Sequence, residues 1–241
     1  MAIISTKAIV LSAIKYSDSS LIVKCYTEHL GVKTYLIRGV LKSRKGAIKA
    51  AYFQPLTLLT IEANHKQKSN LHSLKEVHVF HAYTSIHTDI VKQSIVLFLS
   101  EILSSSIQEE EENSVLYEYV ETALIWLDTH DKIANFHLLF LLNLTKYLGF
   151  YPDLFNQETA SSFNLFEGSF SNTSTDKNCI VHHHLFLFKR LLGINFDAIE
   201  DVLFSKQDRQ ALLQIIIRYF EFHLDGFRKP KSLTILETVF S

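Results

Sequence analysis

From Thr6 to Phe80 the apolar positions come in short runs, rich in β-branched and aromatic residues and bounded by polar or turn-forming stretches. The runs are Thr6–Ile14, Ser20–Glu28, Val32–Arg38, Tyr52–Glu62 and Leu71–Phe80. Side chains of this kind fit a pleated, half-buried surface, so each run predicts a strand. The breaks read YSDSS, HLG, RGVLKSRKGAIKA and ANHKQKSN, where Ser, Asn, Asp and Gly favour turns. Five short strands within 80 residues suit a small closed barrel, and the OB-fold is its five-stranded Greek-key form. Pro55 is expected just inside the fourth strand. A proline cannot donate to a ladder, so an edge or a bulge is predicted there.

After Tyr83 the period changes. Ile90, Ser94, Leu97, Phe98, Glu101 and Ile102 stand at helical spacings, and helices are predicted over Ile86–Ile107, Asn113–Thr129 and Lys132–Leu148. Gly149 reads as a helix terminator, with Pro152 just beyond. His183–Leu192 is a further helix, stopped by Gly193. Asp197–Leu203 is a short one, and Asp208–Leu224 is an amphipathic one opened by an Asp cap. These helices can bury their apolar faces only against one another, which predicts a bundle. From about 153 to 181 the helical pattern fails. SSFNLFEGSFSNTSTDKN is rich in Ser, Asn and Thr, with Phe163, Phe166 and Phe170 recurring, and reads as a small insertion. The expected class is α+β: an N-terminal five-stranded OB-fold β-barrel at 1–80, then an α-helical bundle domain at 81–241 carrying the insertion.

Composition adds bounds to this picture. With 47% hydrophobic residues, seven Gly and three Pro, the chain has ample material for a core. MAIISTKAIVL lacks the basic and apolar regions of a signal peptide. No stretch reaches the ~20 apolar residues of a membrane span. The two cysteines, Cys25 and Cys179, are too few for a secreted disulfide framework, so a cytoplasmic setting is expected.

Charge changes the picture more. The net charge is only −1, yet residues 1–80 hold 12 Lys and Arg against four Asp and Glu, a net of +8. Residues 81–241 hold 12 against 21, a net of −9. From His29 to Ile61 there is no acid at all, but Lys33, Arg38, Lys42, Arg44, Lys45 and Lys49 all occur. Such a split points to a polyanion partner for the first half. These six cations are the candidate phosphate contacts, with Lys33 the outlying member. Tyr26, Tyr35 and Tyr52 lie near enough to stack on bases, although as strand residues Tyr26 and Tyr35 fit a barrel core better.

Other features favour structural readings. Glu109–Glu112 is a run of four acids, read as a solvated turn that also places charge favourably at the next helix N-terminus. Cys179 with His182, His183 and His184 lacks the second ligand pair of a structural zinc site, so no metal site is expected. Asp128 and Asp131 read as caps flanking a turn. Lys189, Arg190, Arg209 and Arg218 suit the charged outer face of an ordinary bundle better than a peptide groove. No Walker A, GxSxG, HExxH or GxGxxG pattern occurs, and the chain is expected not to be an enzyme.

TKAIVLSAIKYSDSSLIVKCYTEHLGVKTYLIRG resembles the N-terminus of the bacterial RecO family of DNA repair proteins. The residues carrying the resemblance are Tyr16, Asp18, Ser20, Ile22, Val23, Tyr26, Thr27, Gly31, Arg38 and Gly39. FQPLTLLTIE at Phe53–Glu62, LKEVH at Leu74–His78 and YLGFYPD at Tyr147–Asp153 continue it in order. The resemblance implies an OB-fold, a helical domain and an insertion that often carries a four-cysteine zinc site. Only Cys179 remains in that region here, so zinc is not carried over and no cofactor is expected. The phenylalanines are expected to hold the insertion instead. The resemblance further implies a recombination mediator in DNA repair, cytoplasmic and nucleoid-associated. It would bind single- and double-stranded DNA, anneal strands, and help load the recombinase RecA onto strands coated by single-stranded-DNA-binding protein (SSB). The implied partners are the SSB C-terminal tail, RecR and, indirectly, RecA, with no membrane. Of the candidate cations, only Arg38 lies on a family motif. The residues alone leave an RNA-binding OB protein and a protein-interaction scaffold as alternatives, with an unrecognised hydrolase behind them.

Overall fold

A computed structural model describes residues 2–42, 48–65, 70–107, 111–173 and 177–240. The five predicted strands are present as β1 (Ala2–Lys15), β2 (Leu21–Thr27), β3 (Gly31–Ile37), β4 (Leu58–His65) and β5 (Leu71–His81). They close a barrel in the order β1-β2-β3-β5-β4. Closure comes from one short parallel pairing, Thr34 with Leu71 and Tyr35 with His72, while the other pairs are antiparallel. This is the OB architecture. β1 is long enough to pair with β4 over Ala2–Ile9 and with β2 over Ala8–Lys15, and a register shift between Val10 and Ser12 interrupts the pairing with β2. Such a bulge bends the strand where a barrel must curve. Alternation then decides the core: Ala8, Val10, Val23, Cys25, Tyr35, Ile37, Leu59, Ile61 and Ala63 all point inward.

Pro55 lies outside the fourth strand, which begins only at Leu58. Before it come a one-turn 3-10 helix over Ala50–Phe53 and a turn in which the Thr57 amide donates to the Gln54 carbonyl at 3.2 Å. Pro55 takes the second turn position, where its fixed φ is an advantage. Leu56 takes the third, with φ of 56°, a left-handed conformation that strains a leucine by about 1 kcal/mol. Three contacts over-determine it. Its side chain is fully buried, its amide donates to Val10 at 2.7 Å, and its carbonyl accepts the Tyr83 hydroxyl at 2.8 Å.

The chain divides into two compact units, residues 1–129 with 230–232 and residues 130–229 with 233–241. The first contains the barrel with α1 (Ile90–Ser106) and α2 (Ser114–Thr129). Both helices are tied to barrel strands. Lys24 on β2 donates its ammonium to the Ser104 carbonyl at 2.7 Å, in the last turn of α1, where a cation favours the helix dipole. The Tyr26 hydroxyl donates to the Asn113 carbonyl at 2.8 Å, and Lys7 pairs with Glu121 at 3.1 Å. α1 starts at Ile90 rather than Ile86 because Asp89 caps it, accepting from the Val91 and Lys92 amides.

The second unit holds α3 (Phe136–Tyr147), α4 (His182–Leu191), α5 (Phe196–Ile199), α6 (Lys206–His223) and α7 (Leu233–Val239). α3 is buried from Phe136 to Thr145, as expected for a helix apolar all round. The insertion is a three-stranded sheet of β6 (Ser162–Asn164), β7 (Ser169–Ser171) and β8 (Cys179–Val181), in the order β7-β6-β8. YLGFYPD ends α3 and starts that sheet. Gly149 turns the chain at φ +85°, and the Asp153 amide donates to the Gly168 carbonyl at 2.8 Å. α6 opens two residues before Asp208. Its cap is Ser205, and Asp208 is the reciprocating member of a capping box.

Candidate nucleic-acid interface

The basic segment leaves β3 at Ile37 and returns to the barrel as the 3-10 helix. Apolar residues fasten both of its ends. Val40 and Phe53 are buried in the barrel core, and Ile48, Ala50 and Tyr52 pack against it. Beside these anchors the cations Arg38, Lys42 and Lys49 are exposed. A turn follows Arg38, with Gly39 at φ +75° and the Lys42 amide donating to the Gly39 carbonyl at 3.2 Å. The Leu41 amide donates to the Ser19 carbonyl at 3.0 Å, which ties this turn to the loop between β1 and β2. Arg38, Lys42 and that loop therefore share one end of the barrel. Arg44 and Lys45 lie outside the described residues. Lys33 stands apart: it is half-buried near the start of β3, five residues before Arg38 and so about 16 Å along the strand.

Lys33 belongs to a different neighbourhood. The His65 and His72 rings stack at 4.2 Å with planes 4° apart, and the Tyr35 hydroxyl lies 3.3 Å from His65 Nε2. Burial, then His72 and Lys33, push the His65 pKa down. Tyr26 and Tyr35 are core residues, as their strand positions suggested, and Tyr52 is half-buried. Tyr26 and Tyr35 present no open face. The exposed tyrosine at the basic end is Tyr16, in the YSDSS turn, and not one of the three candidate stacking residues.

The remaining candidates have structural partners. Asp128 is no cap. Its buried carboxylate accepts the Thr84, Ser85 and Ile86 amides at 2.8–3.1 Å and grips the link from β5 to α1. His183 Nε2 lies 2.7 Å from Asp208 Oδ1 and so joins the capping box of α6. Glu112 pairs with His29 at 3.1 Å, while Glu109 and Glu110 lie outside the described residues. Lys189, Arg190, Arg209 and Arg218 each donate to a neighbouring carbonyl or amide oxygen within the second unit. Cys179 is the one cysteine of the insertion and is a free thiol, and among the described residues no three His, Cys, Asp or Glu side chains converge. The insertion is held by an aromatic cluster, with Phe163 4.8 Å from Phe170 and 5.0 Å from Phe188, ring centre to ring centre.

Fold and site together define an OB-barrel protein with appended helices, its barrel end studded with cations. Among the described residues no helix is long and apolar enough to cross a membrane. Comparison with known proteins narrows the class. The family described as recombination protein O matches with its N-terminal domain over residues 1–83 and its C-terminal domain over residues 87–233. A protein of Flavobacterium psychrophilum named DNA repair protein RecO is 51% identical over 238 residues, 99% of each chain. One of that name from Flavobacterium johnsoniae is 50% identical over 240 residues, again 99% of each, and one from Bacteroides fragilis is 35% identical over 238 residues, 98% of each. The chain belongs to the RecO family.

Proposed function

We propose that this protein acts in DNA repair as a non-catalytic recombination mediator that binds DNA through the basic end of its barrel. The observation that carries the reading is the exposed Arg38–Lys42 turn on an OB barrel in a chain related to RecO proteins over its whole length. Arg38, Lys42, Arg44, Lys45 and Lys49 neutralise phosphates and release counterions, with Lys33 a peripheral contributor. The protein anneals complementary strands and helps RecA load onto SSB-coated DNA, working in the cytoplasm with RecR and the SSB tail. It needs no cofactor, because neutralising charge and positioning strands are non-covalent tasks.

Fluorescence anisotropy with labelled single-stranded DNA across a salt titration, beside RNA of the same sequence, tests this. Tight, salt-steep binding to DNA is expected. Preference for RNA would move the protein to an RNA-binding role, and no binding to either at low salt would make the barrel a protein-interaction module.

A further inference from the structure

Among the described residues of the barrel unit, two aromatic side chains are exposed, Tyr16 at 63% and Phe80 at 46%. The Phe80 ring already carries a cation, the Lys7 ammonium 4.2 Å from its centre. Among the described residues nothing stacks on the Tyr16 ring or bonds its hydroxyl. Tyr16 is also held in place. It begins the short loop from β1 to β2, closed by its own amide donating to the Ser20 carbonyl at 3.0 Å. The same loop accepts the Leu41 amide through Ser19, so it is locked to the turn bearing Arg38 and Lys42. Ile14 and Leu41 add exposed apolar surface at this end. Asp18, the loop's acid, is paired with Lys15 at 3.5 Å.

An open aromatic face on a loop tied to the turn that bears Arg38 and Lys42 suits one ligand chemistry: an unpaired nucleobase whose phosphates lie on the cations. We infer that Tyr16 is a base-stacking platform, through which the barrel distinguishes unpaired from paired DNA. Phosphate contacts alone hold both forms. A duplex buries its base faces in its own stack and cannot present one to Tyr16. The inference rests on the DNA-binding role proposed above and adds to it the feature that is read.

The test compares the full chain with Tyr16→Ala and Tyr16→Phe by anisotropy, on an unstructured single strand and on a duplex of equal length. Loss of one stacked base weakens single-strand binding by about 5- to 150-fold in Tyr16→Ala, while the salt slope and duplex affinity stay unchanged. Tyr16→Phe keeps the ring and binds like the parent. Unchanged single-strand affinity in Tyr16→Ala, or equal loss on both DNAs, overturns the stacking role while leaving the phosphate track in place. A parent protein that binds neither DNA overturns both.

Discussion

Asp128 shows how much one side chain can hold. Burial alone would raise its pKa. The amides of Thr84, Ser85 and Ile86 and the Thr84 hydroxyl outweigh that effect and keep the carboxylate well below its ordinary range. Its ionised form is therefore bound more tightly in the folded chain than in the unfolded one. The stabilisation is complete above the unfolded value of about 4 and is lost as pH falls toward the lower folded value. Asp128→Ala would leave several buried donors unpaired, with an expected loss on the order of 3 kcal/mol in denaturant unfolding. Asp128→Asn should also flatten the acid limb of the stability–pH curve. If both variants melt like the parent, the link from β5 to α1 is held by something else.

At the scale of elements, the insertion sheet is too small to stand alone: β6, β7 and β8 have three residues each. Its stability comes from side chains. Phe163 is fully buried against Phe170, Phe188 and Tyr219. Gly168, in the turn from β6 to β7, passes so close to Tyr219 that an added Cβ would sit 2.8 Å from its hydroxyl. Tyr219 cannot easily withdraw, since it donates to the Phe150 carbonyl at 2.7 Å. Phe163→Ala should destabilise the second unit by about 3 to 5 kcal/mol and abolish amide-exchange protection in the sheet. A chelator should leave the melting curve of the parent unchanged. One zinc per chain in metal analysis of the purified protein would contradict this account.

Across the whole molecule, charge is segregated along the chain, +8 in residues 1–80 and −9 in the remainder. The near-zero total conceals a basic barrel. Long-range attraction of a polyanion depends on that local excess and is screened by salt. Replacing Lys42, Arg44 and Lys45 together by Ala should lower DNA affinity and flatten the salt dependence on single strands. The slope falls by about 0.7 for each phosphate contact removed. An unaltered slope would take this segment out of the binding track, whatever happened to affinity.

Local pattern was enough for the strands, most of the helices and the basic segment, because alternation and helical spacing record which face of an element is buried. The family resemblance was legible because its motifs combine strand positions such as Ile22, Val23 and Tyr26 with turn residues such as Gly39 and Gly149. α7 escaped, being short and preceded by a basic, polar stretch. Tertiary structure alone decided the rest. Whether β3 would meet β5, where Pro55 would fall, and that Asp128 would grip residues 84–86 depend on contacts between distant segments. The tyrosines make the point most sharply. Tyr16 stands in a polar turn and Tyr26 and Tyr35 in predicted strands, so the chain itself separates the bare ring from the sealed ones, but only the fold sets the Tyr16 loop against the turn bearing Arg38 and Lys42. That neighbourhood depends on segments more than 20 residues apart, and the chain acquires it only when the barrel closes.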